Sequence, residues 1–370
     1  MNFHKIIKPN QKPPRICCES YTIYVYINHD LIIFTYYIMR VLLTGGLGFI
    51  GSHCAVVLGQ YDHEIIIIDN LSNASIQTLS KINHLVKEPS NIHFIEGDVA
   101  NSTLLESVFE TQGPIDAVLH FASLKSVNES IEKPLTYYRQ NMDGLLTLLE
   151  TMQTYKCTRF IFSSSATVYG YNADAPIKET DPIGMSITNP YGQTKYFQEQ
   201  ILLDYEKAHP ETCITILRYF NPVGAHPSGL LGEDPNGIPN NLFPYILRVA
   251  TRELSILTIH GSDYDTHDGT CVRDFIHVMD LAEGHIEALR HMQPGVEIYN
   301  LGTGKGASVM DLVKTFEKTN NIQIPYGIGL RREGDIPVVY ADVSKVYKKL
   351  GWKTKRTIED ICRDGYNFIR

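Results

Sequence analysis

The sequence predicts a doubly wound α/β protein, a parallel Rossmann sheet with helices on both faces followed by a smaller mixed α/β part. Three observations carry this expectation. From Val41 onward short apolar runs alternate with longer helical stretches, the first run opens into glycines at a fixed spacing, and an aspartate closes the second run. With 370 residues, 43% hydrophobic and 20% charged, the chain is large enough for a buried core and for two domains. Lysine and arginine number 33 against 41 acidic residues, a net charge of −8 with no long basic run, which excludes nucleic acid as a partner.

The apolar runs are Val41–Leu43, Ile65–Ile68, Ile92–Ile95, Ala117–His120, Phe160–Phe162 and Ile214–Leu217. Each is apolar enough to be buried on both faces, as strands of a parallel sheet are. After the first run, Gly45, Gly48 and Gly51 fall at GxxGxxG spacing through Phe49 and Ile50. Glycine there permits a tight turn, lets backbone amides approach a pyrophosphate and brings the next helix close to the sheet. A glycine-rich turn alone can match this pattern, so its context matters. Asp69 closes the second run about twenty residues further on, where a carboxylate binds ribose hydroxyls and repels a 2′-phosphate. NAD is therefore the expected cofactor, rather than NADP.

Residues 39–221 read as the NAD-binding domain and 222–370, irregular and rich in Pro and Gly through Pro239, as a substrate domain. Residues 1–38 differ from both. Their apolar stretch, Tyr21–Ile38, is interrupted by Asn28, His29 and Asp30, too polar to span a bilayer, and it lacks a cleavage site. This segment reads as an extension, disordered or the product of a start set upstream of Met39. No membrane association is expected. The seven cysteines form no CxxC pair, and none of the fourteen histidines stands at a ligand spacing. A reducing cytoplasm and no metal site are the expectations.

Tyr191 and Lys195 stand four apart at the start of a helical stretch, so they share one helix face. Of the twenty-two tyrosines, no other has lysine four residues after it. A neighbouring ammonium favours the phenolate and pulls Tyr191 toward a useful base strength. Upstream, Ser163-Ser164-Ser165 ends an apolar strand, where a hydroxyl faces the site of an open α/β sheet. In isolation a surface Tyr-Lys pair and a serine-rich loop would look the same.

Strand-end Ser, then Tyr, then Lys, behind a dinucleotide fingerprint, resembles the extended short-chain dehydrogenase/reductase superfamily. Longer strings resemble its UDP-glucose 4-epimerase family: Thr44–His53, Phe162–Gly170, Arg218–Gly229, Gly232–Leu242, Gly269–Asp280 and Arg331–Asp335. The resemblance runs from Met39 nearly to the C-terminus. It implies a redox-neutral isomerase in a homodimer. Tyr191 takes the sugar 4′-hydroxyl proton while C4′ is oxidised by tightly held NAD, Ser165 bonds that oxygen, and Lys195 holds the cofactor ribose. The 4-keto sugar then turns and is reduced on its other face.

The resemblance also implies cofactor contacts from Gly45, Gly48, Phe49, Ile50, Gly51, Asp69, Asn70, Asp98 and Val99. Phe121, Ala122, Lys125, Asn141, Ser163, Tyr191, Lys195 and Phe220 complete that set. The family's FAGLK loop reads Phe121-Ala122-Ser123-Leu124-Lys125 here, a serine for a glycine beside the cofactor. For the UDP-sugar it implies Lys125, Ser165, Tyr191, Asn221, Asn241 and Leu242, with Thr258 and His260 at uracil and Arg273, Arg332 and Asp335 at the diphosphate and ribose. Val339 stands where many bacterial relatives carry a tyrosine, implying room for UDP-N-acetylglucosamine and UDP-N-acetylgalactosamine. Asp280 and Glu283 read as an N-cap and capping box, with His285 on that helix's outer face.

Two rival functions fit parts of the pattern. A nucleotide-sugar 4,6-dehydratase or decarboxylase needs acidic groups after the strand-end hydroxyl, where this chain has Ala166 and Thr167. A non-enzymatic NAD-sensing regulator on the same fold has no need of both Tyr191 and Lys195.

Overall fold

The structure, a computed structural model, describes residues 20–27, 30–171, 174–234, 241–332 and 334–370. The expectation for residues 1–19 thus lies outside the described residues. Ser20–Ile27 and Asp30–Tyr37 pair as an antiparallel hairpin, from Ser20↔Tyr37 to Ile27↔Asp30, separate from the main sheet.

All six apolar runs become strands of one parallel sheet: β1 (Arg40–Thr44), β2 (Glu64–Asp69), β3 (Ile92–Glu96), β4 (Ala117–His120), β5 (Arg159–Ser165) and β6 (Cys213–Tyr219). A seventh strand, β7 (Gly295–Leu301), pairs in parallel with β6. The order across the sheet is β7-β6-β5-β4-β1-β2-β3. Chain order reverses between β1 and β4, the switch point at which open α/β sheets bind their ligands. β7 comes from beyond residue 221, so the chain returns to the sheet after entering its second part. The first four residues of β7 are only half-buried, as suits an edge strand, and no apolar run marks it in the sequence.

Strand alternation divides the core in two. Val41, Leu43, Ile65 and Ile67 pack on one face with α1 (Phe49–Gly59). Leu42, Ile66 and Ile68 pack on the other with α2 (Ser102–Gln112), α3 (Pro134–Thr154) and Leu202 of α4 (Pro190–Ala208). Each such aliphatic side chain, fully buried, contributes about 1.5–3 kcal/mol. The first face is completed by α5 (Val278–Arg290), through Leu281, Ile286 and Leu289.

Helix α5 corrects two expectations. Its N-cap is His277, whose Nδ1 accepts from the Met279 amide at 3.1 Å. Asp280 instead lies buried inside the first turn, accepting from the amides of Lys355 and Arg356 at 3.1 and 2.9 Å and from the Arg356 guanidinium at 2.5 Å. His285 is buried rather than outward, with Nε2 2.5 Å from the Tyr219 hydroxyl. The causes differ: Asp280 is covered by Lys355 and Arg356, whereas His285 lies on the face turned to the sheet, against Tyr219 and Phe121.

The remaining chain builds small sheets around its own core, in which Phe243, Ile246, Leu247, Phe316 and Ile361 pack together. Asn221–Val223 pairs with Phe275–His277, Leu257–His260 with Tyr326–Gly329, and Val272–Arg273 lies between Ala307–Ser308 and Val338–Val339. Among the described residues no helix is long and apolar enough to cross a membrane, and Cys54, Cys157, Cys213, Cys271 and Cys362 are free and buried.

Candidate active site

The glycine turn is forced by contact. Gly45 adopts φ +68°, donates to the Ile68 carbonyl at 2.7 Å, and would place a Cβ 2.7 Å from the Ala122 amide nitrogen. A Cβ on Gly51 would lie 2.5 Å from the Gly45 carbonyl oxygen. Gly48 is the N-cap of α1, and Phe49 and Ile50 open the helix with no acidic residue in its first turn. That leaves amides and a positive helix end facing the switch point, a fit for a pyrophosphate. Asp69, at the end of β2, accepts from the Leu47 amide at 3.1 Å and the Leu71 amide at 2.9 Å, and burial pushes its carboxyl up. Asn70 donates to Asp98 Oδ2 at 2.9 Å, joining the ends of β2 and β3. Val99 is buried in the core beside α3.

The loop after β4 is pinned from three sides. Phe121 donates its amide to the Thr44 carbonyl at 2.9 Å, and the Ala122 amide lies 3.5 Å from Thr44 Oγ1. Asn141 of α3 accepts from the Leu124 amide at 2.9 Å and donates to its carbonyl at 3.2 Å and to Thr194 Oγ1 at 3.0 Å. Ser123 is not among the residues with positive φ, so a serine fits here without strain. Lys125 Nζ reaches Glu233 Oε1 at 2.8 Å.

Ser165 closes β5 and caps the short turn Ala166–Tyr169, its Oγ accepting from the Thr167 amide at 3.3 Å. Tyr191 enters from the first turn of α4, which Asn189 caps by accepting from the Gly192 amide at 2.8 Å. Burial pushes the Tyr191 phenol up, while its hydrogen bond to Ser165 and the charge of Lys125 pull it down. Lys195, one turn on, carries its ammonium 4.9 Å from the Phe162 ring centroid and 6.0 Å from that of Tyr191. Burial pulls Lys195 down to about 7, against the opposing charge of Glu199. Ser163 bonds the Tyr219 hydroxyl, and Phe220 follows, its amide donating to the Leu301 carbonyl at 3.2 Å.

On the other side, the Asn221 amide donates to the Asp274 carbonyl at 2.9 Å. Asn241 stands at the N-cap position of the helix Leu242–Ala250, its side chain making no capping hydrogen bond; residues 235–240 of the same motif lie outside the described residues. Thr258 and His260 share one strand, and His260 Nδ1 is 3.2 Å from the Leu330 carbonyl. Arg273 donates to the Ile336 carbonyl at 2.7 Å, approaches Asp335 at 3.5 Å and pairs in register with Val339. Arg332 is exposed next to them. Val339 packs against the cluster that holds Phe220 and Tyr169, which ties it to the catalytic end of β6.

The profile of the GDP-mannose 4,6 dehydratase family matches residues 42–365. The UDP-glucose 4-epimerase of Haemophilus influenzae is 51% identical over 332 residues, 89% of this chain and 97% of that protein. The crystal structure of the Bifidobacterium longum UDP-glucose 4-epimerase, in complex with NAD+ and UDP, superposes with a TM-score of 0.85 at 49% identity, covering 89% of this chain and 97% of the other. That of Stenotrophomonas maltophila, with NAD and formylated UDP-arabinopyranose, gives 0.86 at 43% identity, covering 90% and 98%. The chain belongs to the UDP-glucose 4-epimerase family.

Within the epimerase family reading, four residues of the site escape the sequence patterns. Glu199 and Arg218 form a buried ion pair behind Lys195, 2.7 Å apart, and Glu199 could have been found from its position one turn beyond the lysine. Tyr219 and His285 stand behind Ser163, but only the sheet brings them together. His267, Asp268 and Asp311 also converge, on the surface, yet Asp268 is bonded by Ser308 and Thr270 and Asp311 completes a helix cap.

Proposed function

We propose that this chain interconverts UDP-glucose and UDP-galactose by epimerisation at C4′, with NAD as its resident cofactor. The convergence of Ser165, Tyr191 and Lys195 at the open end of the glycine-turn strand supports this best. Lys195 supplies the fit test for the cofactor: its buried ammonium has no hydrogen-bonding side chain among the described residues, a need that ribose hydroxyls meet. When bound, NAD supplies a reversible two-electron oxidation of the sugar carbon.

The protein's own part is proton handling and orientation. Tyr191 Oη takes the proton of O4′ and returns it after the sugar has turned, while Ser165 bonds the same oxygen. Lys125, above Phe49 and within electrostatic reach of Tyr191, faces the junction of cofactor and sugar. Arg273 and Arg332 offer forked donors to the diphosphate, Asp335 the ribose, and Thr258 with His260 the uracil. Asn221, Asn241 and Leu242 line the sugar. Valine at position 339 leaves room for the N-acetylated pair of sugars as well. A dehydratase reading finds no carboxylate after Ser165, only Ala166 and Thr167.

Val127, Ile131, Leu135, Leu146 and Phe197 are exposed on α3, α4 and the short helix before them, Leu135 by 81%. Such a patch on a monomer marks an interface, and a second copy of this chain is the partner assigned to it. The five free, buried cysteines of the described residues support a reducing, cytoplasmic setting for the enzyme. Incubating the purified protein with UDP-galactose and identifying the products tests the whole reading. UDP-glucose is the expected product, and release of a 4-keto-6-deoxy sugar, or no turnover, overturns it.

A further inference from the structure

Behind the catalytic pair lies a buried polar network that the proton handling above does not use. Glu199 stands four residues after Lys195 and eight after Tyr191 on α4, on the same face, and is fully buried. Its Oε1 accepts from Ser164 Oγ at 2.5 Å and from Arg218 Nε at 3.1 Å, and its Oε2 accepts from the other end of the guanidinium at 2.7 Å. Arg218, 2% exposed, continues to the Tyr169 hydroxyl at 2.9 Å, which donates to Asn300 Oδ1 at 2.6 Å. One carboxylate thus joins α4 to β5 beside Ser165 and to β6 beside Tyr219.

Stability alone is a poor reason for such a pair. Desolvating two charges costs about as much as their attraction returns, and apolar residues of the same volume often serve folding as well. Geometry gives the better reason, because Ser165 and Tyr191 sit on different elements and must meet at one oxygen. We propose that Glu199, held by Arg218, is a positioning residue of this active site: it fixes the Ser165 strand against the Tyr191–Lys195 helix and keeps Lys195 an ammonium.

The charge argument follows from what surrounds Lys195. The ionisable groups facing it are Tyr191 and Glu199 on its own helix and His120 on β4, with Arg218 of β6 behind Glu199. From β5 it meets the Phe162 ring, and α3 meets this part of α4 with the neutral Asn141. Burial holds His120 down to about 3, so that ring is neutral. Glu199 is then the anion that offsets the burial of the ammonium, as its opposing influence on Lys195 reflects.

The proposal rests on the 4-epimerase reading, and wild-type protein that fails to epimerise would sink that reading before any variant is made. Given an active wild type, E199Q, E199D and S164A separate the two roles. In E199Q the alkaline limb of the kcat profile, where Lys195 gives up its proton, moves down by about one pH unit with KM within about twofold. E199D keeps the charge but cannot reach Ser164 and Arg218 together. Its limb stays in place while kcat falls by roughly tenfold. S164A lowers kcat in the same way without moving the limb. A folded E199Q with the wild-type limb and kcat, changed only in thermal stability, overturns the proposal. If E199Q does not fold, wild-type kcat in both E199D and S164A overturns it, and the loss of kcat in both supports it.

Discussion

Lys195 holds its ammonium 4.9 Å from the centre of the Phe162 ring and donates no hydrogen bond to a side chain among the described residues. A buried cation with an aromatic face beside it and only the charge of Glu199 to offset its burial is costly to folding, so the role proposed for this lysine comes at the expense of the apoprotein. The linkage has a definite sign. Its pKa is lowered from 10.5 to about 7, so between those values the unfolded chain binds the extra proton and stability rises with pH, by about 1.4 kcal/mol per unit. Lys195→Met should abolish most activity, yet leave the apoprotein at least as stable as wild type at neutral pH. Thermal unfolding of both proteins without cofactor checks this, and a clear loss of stability in the variant contradicts it.

Removal of the Tyr191 hydroxyl isolates the proton transfer from binding. The phenol makes its hydrogen bond to Ser165, whose Oγ also accepts from the Thr167 amide, so Tyr191→Phe leaves Ser165 anchored. The expected outcome is a fall in kcat of about 10²–10⁴ with little change in KM. Steady-state kinetics with UDP-galactose measures it, and near-normal kcat would dismiss Tyr191 as the base.

Acid should destabilise the fold through its buried histidines. Burial holds His53 and His120 down to about 3 and His63 and His285 to about 4, from 6.5. Each is neutral in the fold and protonates on unfolding, so its contribution is complete above 6.5 and is lost as pH falls toward those lower values. The slope is about 1.4 kcal/mol per ring per pH unit. Denaturant midpoints between neutral pH and pH 5 should fall steeply, and more gently in His285→Gln. A flat profile contradicts the assignment.

What the sequence made legible was local. GxxGxxG, the strand-closing Asp69 and the Tyr191–Lys195 spacing are each written within one turn or one strand, and so are the six apolar runs. β7 was not legible, because an edge strand needs no continuous apolar run. Asp280 and His285 misled for a related reason: polar residues on a helix read as solvent-exposed, whereas Lys355 and Arg356 cover Asp280 and the sheet, through Tyr219, covers His285. The Glu199–Arg218 pair joins residues from a helix and a strand, and nothing short of the parallel register Ser164↔Arg218 puts them side by side.

Substrate breadth can be tested at Val339. It pairs in register with Arg273, so its backbone lies beside a diphosphate ligand of the proposed site, while its side chain packs toward Phe220 and Tyr169 at the catalytic end of the sheet. A substituent on the sugar must pass this side chain. Valine leaves space that a phenol ring would fill, and a bulky acetamido group is more sensitive to that loss than a hydroxyl is. Wild type should therefore epimerise UDP-N-acetylglucosamine at more than about a thousandth of its rate on UDP-glucose, and Val339→Tyr should lower that ratio by at least about tenfold while sparing UDP-glucose. Product analysis with each sugar decides it: if the tyrosine slows both substrates equally, the side chain shapes the site as a whole, and the specificity assigned to it is wrong.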